Sequence, residues 1–437
     1  MTHPEHSVSP MQGDDPLWLG ERTRLGCWLR RPAEAFEILG ETPRTACETQ
    51  ALPGKSRPRS SETEPGAPDP KRTKNFLQIP VFIAAAAVAP FSFAAEFDLS
   101  ALPAYAPPAE KISGTIRNHG NAYAGLLKRW EAAFQKFHPA ITFADTLPTS
   151  DAAFPALITG VTDLAPNGSE PIITETLGFF EVHGYHATAI TVASGTFDSE
   201  GRSPGPVVFV HQDNPLTRLT LDQLDGIFGA ERNGAMRGFK WTLEDARGPE
   251  KNIRTWGQLG LTGEWADKPI QTYGHAPSGT ARFFQLKVLK NSDKWNPNYR
   301  GFVETGSKMI ADNDKAEQRG GVKHMLTNEL ARDKFGIAWS IMPQAKGIAG
   351  IRPLALAARE GGAYVAPSRA TFQDRSYPLV RSIYIYLNRK PGTPIEPRFR
   401  EFLRFILSRE GQQIVADGSG FLPLPAAHAA EQRAKLD

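Results

Sequence analysis

From Glu96 onward, short apolar segments alternate with amphipathic ones, and this alternation restricts the fold more than any other feature of the chain. Segments such as "VVFVH" and "SIYIYL" have the length and the β-branched and aromatic content of buried strands. Between such segments, apolar residues recur three or four positions apart, as on the buried face of a helix. A regular succession of strands and helices predicts an α/β protein whose sheets are covered by helices.

Two helices are predicted from apolar spacing alone. The first lies in "AYAGLLKRWEAAFQKFHP", ends before Pro139, and carries four apolar residues on one face: Leu126, Trp130, Ala133 and Phe137. The second is a single helix over residues 397–420 that closes on Gly418 and Gly420. Its inward positions are Phe399, Leu403, Ile406 and Ile414. Both patterns favour helices that pack one face against a sheet.

Residues 1–70 differ in composition from the remainder of the chain. They lack sustained periodicity and end in "LPGKSRPRSSETEPGAPDP", a mixture of Pro, Ser, Gly and charged residues. Such a composition buries too little apolar surface to offset the entropy of ordering the chain. The segment is therefore expected to be disordered, or to lie upstream of the true start of translation, and the sequence leaves both interpretations open.

Residues 71–94 have the anatomy of a secretory signal peptide. A basic start is followed by an apolar run over residues 76–88 and by a small-x-small cleavage sequence at residues 92–94. The apolar run is interrupted by Pro80 and Pro90 and is shorter than the roughly 20 residues that span a bilayer. The sequence therefore predicts export of the chain that follows.

Both cysteines, Cys27 and Cys47, precede the predicted cleavage position. The exported part then has no disulfide, no thiol nucleophile and no cysteine-based metal site. No cysteine follows the apolar run to carry a lipid anchor. We therefore expect a soluble periplasmic protein, and we expect it to be a monomer.

The charge balance argues against nucleic acid as a partner. The formal net charge is +3, with 50 basic and 47 acidic residues, and the two signs are interspersed. Nucleic-acid binding requires a concentrated basic face, which the sequence does not predict. A small anion is compatible with the slight basic excess.

One candidate for an anion site is the triplet Ser278-Gly279-Thr280, which stands directly before an amphipathic run. Ser278 is suited to cap the helix, and Gly279 permits a close approach by a ligand. The free N–H groups of a first helical turn, together with the helix dipole, attract anions. The same tripeptide occurs at residues 194–196, where a strand precedes it and a polar loop follows.

Several segments, in this order along the chain, resemble the PstS-like family of periplasmic phosphate-binding proteins. They are "GTIRNHGNAYAGLLKRWEAAFQKFHP", "LPTSDAAFPALITGVTDLAPNGSEPIITE", "PSGTARFF", "KFGIAWSIM" and "FLRFILSREGQQIVADGSGFLPLP". They are similar to the family's first ligand loop and helix, its second loop and following strand, its Ser-Gly-Thr loop, its strand near the hinge and its C-terminal return. The resemblance extends over residues 111–425.

The resemblance implies two α/β lobes of the type II periplasmic binding protein fold, each with a mixed sheet flanked by helices. The first lobe is expected to comprise residues 96–206 and 375–437, and the second residues 207–374, with "VVFVHQD" and "YPLVRSIYIY" as the two crossing strands. An oxyanion, phosphate or a relative of it, is expected between the lobes. The implied partner is an inner-membrane ABC permease, and no cofactor, metal or catalysis is implied.

The resemblance also implies ligand residues in three loops. Ser278, Gly279 and Thr280 match the family's triplet. In the other two loops, the matching positions hold Asn121, Ala122, Thr149, Ser150 and Asp151. Two departures are visible. Gly274 and His275 stand where the family has an arginine before the triplet, and residues 167–170 differ from the family's Ser-Arg or Ser-Asp pair.

Two arginines are candidates to supply the missing charge. Arg117 lies in the first loop and Arg282 follows the triplet, and a guanidinium fork suits tetrahedral oxyanions; Arg282 alternatively faces solvent. A carboxylate from Asp151 or Asp198 would select an anion that carries a proton, since it accepts the proton of hydrogen phosphate whereas sulfate offers none. Both aspartates alternatively cap a helix or a turn.

Enzymatic alternatives have weaker support in the sequence. His183 and His186 have a spacing compatible with zinc, but no third-ligand pattern accompanies them. His275 as a base for Ser278 would form a relay from residues close in sequence, which is poor evidence by itself. The full phosphate-binding motif Gly-x-x-x-x-Gly-Lys-Ser/Thr does not occur. The pattern Gly-x-Ser-x-Gly occurs at residues 201–205, but in a polar loop rather than between a strand and a helix as in a nucleophile elbow.

An organic anion is the rival ligand class. Trp241, Trp256 and Trp265 could line a cleft with Arg254 beside them, although tryptophans spread in this way also pack within lobes. The alternative function is a binding-fold sensor, or an organic-anion-binding protein, that is not coupled to phosphate uptake.

Overall fold

The computed structural model describes residues 97–304 and 321–437. The strands in these residues are β1 (Gly114–His119), β2 (Ile141–Thr146), β3 (Leu164–Asn167), β4 (Thr188–Ser194), β5 (Pro206–His211), β6 (Arg218–Thr220), β7 (Ala235–Arg237), β8 (Lys240–Thr242), β9 (Gln271–His275), β10 (Arg300–Phe302), β11 (Gly336–Ile341), β12 (Ile351–Pro353), β13 (Ala355–Ala357) and β14 (Ser382–Leu387). The predictions for residues 1–70 and 71–94, including both cysteines, lie outside the described residues.

The helices in the same residues are α1 (Leu126–Phe134), α2 (Ala153–Ile158), α3 (Ile173–His183), α4 (Leu221–Phe228), α5 (Gly279–Lys287), α6 (Val322–His324, continued by a π-turn over Met325–Leu330), α7 (Met342–Ala345), α8 (Arg369–Gln373), α9 (Pro397–Ile406), α10 (Arg409–Ala416) and α11 (Ala426–Ala434). Short 3₁₀ turns occur at Tyr123–Gly125, Ser150–Ala152, Pro249–Lys251, Trp256–Leu259 and Gly263–Trp265. None of the helices described is long and apolar enough to cross a membrane.

Two five-stranded sheets organise the molecule. The first sheet has the order β2-β1-β3-β14-β4, and the second has the order β10-β9-β11-β5-β12. In each sheet the first three strands are parallel, and the fourth runs antiparallel to both of its neighbours. Helices flank these mixed sheets, which confirms the predicted two-lobe α/β fold class.

The chain passes between the sheets twice. It leaves the first sheet after β4 and enters the second at β5, and it returns ahead of β14. Each crossing thus delivers the antiparallel fourth strand of the sheet that it enters. The residue limits of the two lobes stay predictions.

Helix α1 is shorter than its apolar spacing predicted. Leu126 and Trp130 are fully buried, but the helix ends at Phe134 and the side chain of Phe137 is 42% exposed. The reason is a tighter last turn, because the N–H groups of Lys136 and Phe137 bond to carbonyls only three residues back.

The predicted single helix over residues 397–420 was wrong, because two helices occupy it. Helix α9 ends at Ile406, and Ser408 then caps α10 by accepting a hydrogen bond from the Gly411 N–H at 3.3 Å. Leu403 and Ile406 are fully buried as expected. The Trp130 Nε1–H donates to the Gly411 carbonyl at 2.8 Å, so α1 packs closely on this break.

The second sheet is anchored by aromatic stacking beneath α5. Phe284 of α5 stacks on Trp339 of β11, with ring centroids 4.6 Å apart. Trp339 also stacks on His275 at the end of β9, at 4.7 Å. These contacts fix the start of α5 against the ends of β9 and β11, which holds the first turn of the helix in a defined position.

Candidate anion-binding site

A cavity of about 400 Å³, here called the cleft cavity, lies where loops of the two sheets meet. Its lining includes Gly168, Ser169, Ser203, Gly279, Thr280, Glu304, Gln344 and Arg381. Three of the contributing loops follow the parallel strands β3, β9 and β10. Ligand sites in α/β proteins lie at the carboxyl ends of such strands, because the loops there converge.

The predicted triplet forms part of this lining. Ser278 has an extended backbone and caps α5, its Oγ accepting a hydrogen bond from the Ala281 N–H at 3.2 Å. The N–H groups of Gly279 and Thr280 have no acceptor among the described residues. A Cβ added to Gly279 would meet no atom within 4 Å. The first turn of α5 therefore presents free donors to the cavity.

Glu304, which the sequence analysis did not single out, stands beside the triplet. Its Oε1 lies 2.6 Å from His275 Nδ1 and accepts a hydrogen bond from the Ser278 hydroxyl at 3.3 Å. Burial opposes its ionisation, but hydrogen bonding and attraction from His275, with hydrogen bonds from Thr280 and Ser278, lower the pKa of Glu304 to about 2. Glu304 is therefore a carboxylate at neutral pH.

His275 is hydrogen-bonded through both ring nitrogens. Because Glu304 is ionised, His275 Nδ1–H donates to its Oε1 at 2.6 Å. Nε2 lies 3.1 Å from the Ser340 Oγ, which also bonds to Gln344 Oε1 at 3.0 Å. His275 stands at the position where the sequence lacks the family's arginine.

A buried cation, Arg381, lines the cavity just ahead of β14. Its Nη2 donates to Glu170 Oε2 at 3.2 Å, and the two side chains are 4% and 6% exposed. Arg381 Nε and Glu170 Oε1 are buried without a partner among the described residues. The pair thus retains hydrogen-bonding capacity beside the cavity.

The first-sheet loops converge through Ser150. The Ser150 Oγ accepts hydrogen bonds from Asn121 Nδ2 at 3.0 Å and from the Gly168 N–H at 3.1 Å. Asn121 and Ser150 therefore do not line the cavity themselves. Ser150 bonds directly to Gly168, which does line it, so these two residues position the Gly168 loop.

The remaining first-sheet candidates do not line the cavity. The Thr149 hydroxyl caps a short turn by accepting from the Asp151 N–H at 3.1 Å, and both residues are exposed. Ala122 offers no side-chain donor. We therefore do not retain Thr149, Asp151 and Ala122 among the proposed ligand residues, because their polar groups are used locally or face solvent.

The two arginine candidates are placed differently from the sequence expectation. Arg117 is committed to Asp163, with Nη2 2.5 Å from Oδ1 and Nε 3.1 Å from Oδ2. Arg282 extends toward the first-sheet side, with Nη1 3.5 Å from the Glu170 carbonyl oxygen. Neither lines the cleft cavity. Asp198, the other carboxylate candidate, pairs with Arg369 at 2.9 Å.

The structural contacts give no support to the enzymatic alternatives. Both His275 ring nitrogens bond to Glu304 and Ser340, so no hydrogen bond links His275 to Ser278. The His186 ring stacks on Phe239 at 4.8 Å. Within residues 97–304 and 321–437, no group of three or more His, Cys, Asp or Glu side chains could hold a metal ion.

The tryptophans expected beside an organic ligand have other positions. Trp256 and Trp265 are buried and make an edge contact at 5.9 Å, which is lobe packing. Trp241 is 56% exposed on the β7–β8 hairpin. Arg254 donates to the Gly226 and Gly229 carbonyls, at 2.6 and 2.8 Å, near the end of α4. Its guanidinium is thus already hydrogen-bonded to backbone carbonyls.

Sequence reasoning missed Glu304, Arg381 and Ser203. Arg381 carried a usable signal, since it is a lone charge at the start of the apolar segment "RSIYIYLN". Glu304 follows a three-residue strand that apolar patterning does not reveal. Ser203 lies in a polar loop, where serine is common.

Comparisons with known proteins agree with this architecture. A family model described as a PBP superfamily domain matches residues 204–410. The phosphate-binding protein PstS of Pseudomonas aeruginosa is 31% identical over 328 residues, which cover 75% of this chain and 88% of that protein. PstS of Staphylococcus saprophyticus is 24% identical over 330 residues, covering 75% and 86%.

Among solved structures, PstS from Borrelia burgdorferi matches with 15% identity and a TM-score of 0.45, covering 72% of this chain and 100% of that one. The Pseudomonas relative is decisive, because its identity extends over nearly its whole length. This chain therefore belongs to the PstS-like family of phosphate-binding proteins.

Proposed function

We propose that this protein binds inorganic phosphate in the cleft cavity and delivers it to an ABC permease after export to the periplasm. The observation that carries the proposal is the first turn of α5, where Gly279 and Thr280 line the cavity and their N–H groups have no described partner. A tetrahedral oxyanion matches such a cluster of donors.

Charge at the cavity supports an anionic ligand. Arg381 lines the cavity, and its Nε has no described partner. A charge-assisted hydrogen bond from its guanidinium is about twice as strong as a neutral one. Arg381 thus favours an anion beyond what the helix terminus supplies. Buried His275 adds an N–H donor beside the triplet, with Nδ1 2.6 Å from Glu304 Oε1.

The role proposed is binding and transport rather than catalysis. The relatives named above are phosphate-binding proteins. The base within hydrogen-bond distance of the Ser278 hydroxyl is the Glu304 carboxylate, and its pKa of about 2 makes it a poor general base. Closure around the ligand would bring the Gly168 loop and α5 together by bending of the two crossing segments.

The test is a calorimetric titration of the full chain, stripped of bound anion, with phosphate, sulfate, molybdate and a small carboxylate. We expect micromolar or tighter binding of phosphate and none of sulfate. Binding only of the carboxylate would support the organic-anion alternative. Absence of binding of all four anions would contradict the proposal and leave the sensor function as the remaining candidate.

Two variants at one position assign the site. Gly279→Asp places a carboxylate at the start of α5, and we expect phosphate affinity to fall at least about 100-fold, which corresponds to roughly 2.7 kcal/mol. Gly279→Ala is the matched control, since a Cβ there meets no atom within 4 Å. Equal affinity of the Asp variant and the wild type would remove the triplet from the site.

A further inference from the structure

Glu304 already supplies an anion to the triplet of the cleft cavity. Its carboxylate accepts from the Ser278 hydroxyl and from His275 Nδ1, at 3.3 and 2.6 Å. The side chain is 28% exposed, so one side of the carboxylate faces the cavity. The strand β10 sets this position, because it runs parallel to β9 and pairs Phe302 with His275.

An incoming oxyanion needs the same donors. The Ser278 hydroxyl has one hydrogen, and that hydrogen is directed at Glu304. The other ring nitrogen of His275 is bonded to Ser340. A phosphate dianion and the Glu304 carboxylate would therefore compete for one hydroxyl and one imidazole N–H, and their like charges would repel each other.

We propose that Glu304 is a tethered internal competitor, which occupies the anion position of the triplet in the empty protein and must be displaced from Ser278 and His275 when phosphate binds. This inference rests on the proposed function. The carboxylate accepts a hydrogen bond from the buried His275 Nδ1–H until phosphate replaces it, so that this donor always has a partner. The consequence is a phosphate affinity below the one that the donors alone would give.

A different role for Glu304 predicts the opposite sign. If the carboxylate stayed in place and accepted a proton from hydrogen phosphate, its removal would weaken phosphate binding. Competition predicts that its removal strengthens binding. One measurement of affinity therefore separates the two roles.

The experiment compares phosphate titrations of the wild type, Glu304→Gln and Glu181→Gln in the full chain. Glu181 is the matched control, because it is an exposed glutamate of α3 that does not line the cavity. We expect Glu304→Gln to bind phosphate about tenfold more tightly, since a charge-assisted competitor is lost. Glu181→Gln should stay within about twofold of the wild type, because exposed charges are screened.

Unchanged or weaker binding in Glu304→Gln overturns the competitor role while leaving the proposed phosphate function intact. Phosphate binding by Glu304→Gln but not by the wild type supports competition and contradicts phosphate uptake by the natural protein. Absence of phosphate binding in both proteins contradicts both proposals.

A second measurement uses the unmodified protein and does not depend on how the variant folds. In a crystal structure of the phosphate complex, competition predicts that Glu304 Oε1 has left hydrogen-bonding distance of His275 Nδ1 and that a phosphate oxygen has taken its place. A complex in which the contact between Glu304 and His275 is retained overturns the proposal.

Discussion

The chain contains the tripeptide Ser-Gly-Thr at residues 113–115, 194–196 and 278–280, and the last two copies differ in what their N–H groups bind. At residues 278–280, the N–H groups of Gly279 and Thr280 have no described acceptor. At residues 194–196, all three N–H groups donate to carbonyls, those of Leu422, Arg381 and Arg202, at 2.8, 2.9 and 3.1 Å. The copy at residues 278–280 presents N–H donors to a cavity, whereas the N–H groups of the copy at residues 194–196 are used in hydrogen bonds within the fold.

The copy at residues 194–196 nevertheless contacts residues that line the cleft cavity. The Gly195 N–H donates to the Arg381 carbonyl, and a Cβ on Gly195 would lie 2.0 Å from the Ser203 carbonyl oxygen. Arg381 and Ser203 both line the cleft cavity. The comparison shows that the N–H groups of the tripeptide have no described acceptor where a helix follows it, at residues 278–280. Where the tripeptide packs closely between the two crossing segments, at residues 194–196, its N–H groups bond to carbonyls.

The largest expected effect comes from Gly195→Ala. The added Cβ collides with backbone atoms of Ser203, which cannot move aside as a flexible side chain would. We expect a loss of about 3 kcal/mol in the free energy of unfolding, because overpacking of this kind costs 1–3 kcal/mol or more. Urea denaturation measures it.

Gly279→Ala is the control for that comparison, since its Cβ has open space. Its free energy of unfolding should stay within about 0.5 kcal/mol of the wild type. Equal destabilisation by the two alanine substitutions would contradict the claim that Gly195 is closely packed and Gly279 is not.

The next effect is a pH dependence that belongs to residues 278–280. Glu304 has its pKa lowered from 4.5 to about 2, so its contribution to stability is present above pH 4.5 and is lost as pH falls through about 2. Its magnitude is on the order of 3 kcal/mol, from about 1.4 kcal/mol per tenfold change in proton affinity.

We expect the difference in unfolding free energy between the wild type and Glu304→Gln to be largest above pH 4.5 and to shrink toward pH 2. Taking a difference removes the effect of Glu131, whose pKa burial raises to about 7 and which therefore lowers stability as pH rises toward 7. A difference that is constant with pH would show that the contact between Glu304 and His275 does not stabilise the fold.

A smaller effect distinguishes the two serines. Ser194 Oγ accepts from Arg375 Nη1 at 2.6 Å, and Ser194→Ala should cost about 2 kcal/mol of stability with no change in phosphate affinity. Ser278→Ala loses a helix cap worth about 1 kcal/mol. It should also weaken phosphate binding about tenfold. The comparison fails if Ser194→Ala changes the affinity as much as Ser278→Ala does.

The sequence predicted the α/β class because strand and helix periodicities depend on neighbouring residues. Leu126 and Trp130 were assigned to one helical face, and both are buried in α1. The break at Ser408 was missed, since apolar spacing continues across it and only the cap interrupts the helix. Local patterns locate elements better than they locate the ends of elements.

For the site, the triplet was predictable because its capping chemistry is contained in adjacent residues. Glu304 and Arg381 were not, since they reach the triplet only through sheet pairing and chain crossing. Arg117 illustrates the converse: its charge is visible in the sequence, but its partner Asp163 lies 46 residues away. Whether an arginine is free for a ligand depends on such distant partners.

The most direct test observes both glycines at once by nuclear magnetic resonance. The chain is labelled with ¹⁵N-glycine, the Gly279 and Gly195 amides are assigned from their alanine variants, and phosphate is added. We predict a saturable downfield shift of the Gly279 amide proton, because it gains an anionic acceptor, and a stationary Gly195 amide. A Gly279 resonance that stays in place while calorimetry reports phosphate binding would contradict the claim that this triplet holds the anion.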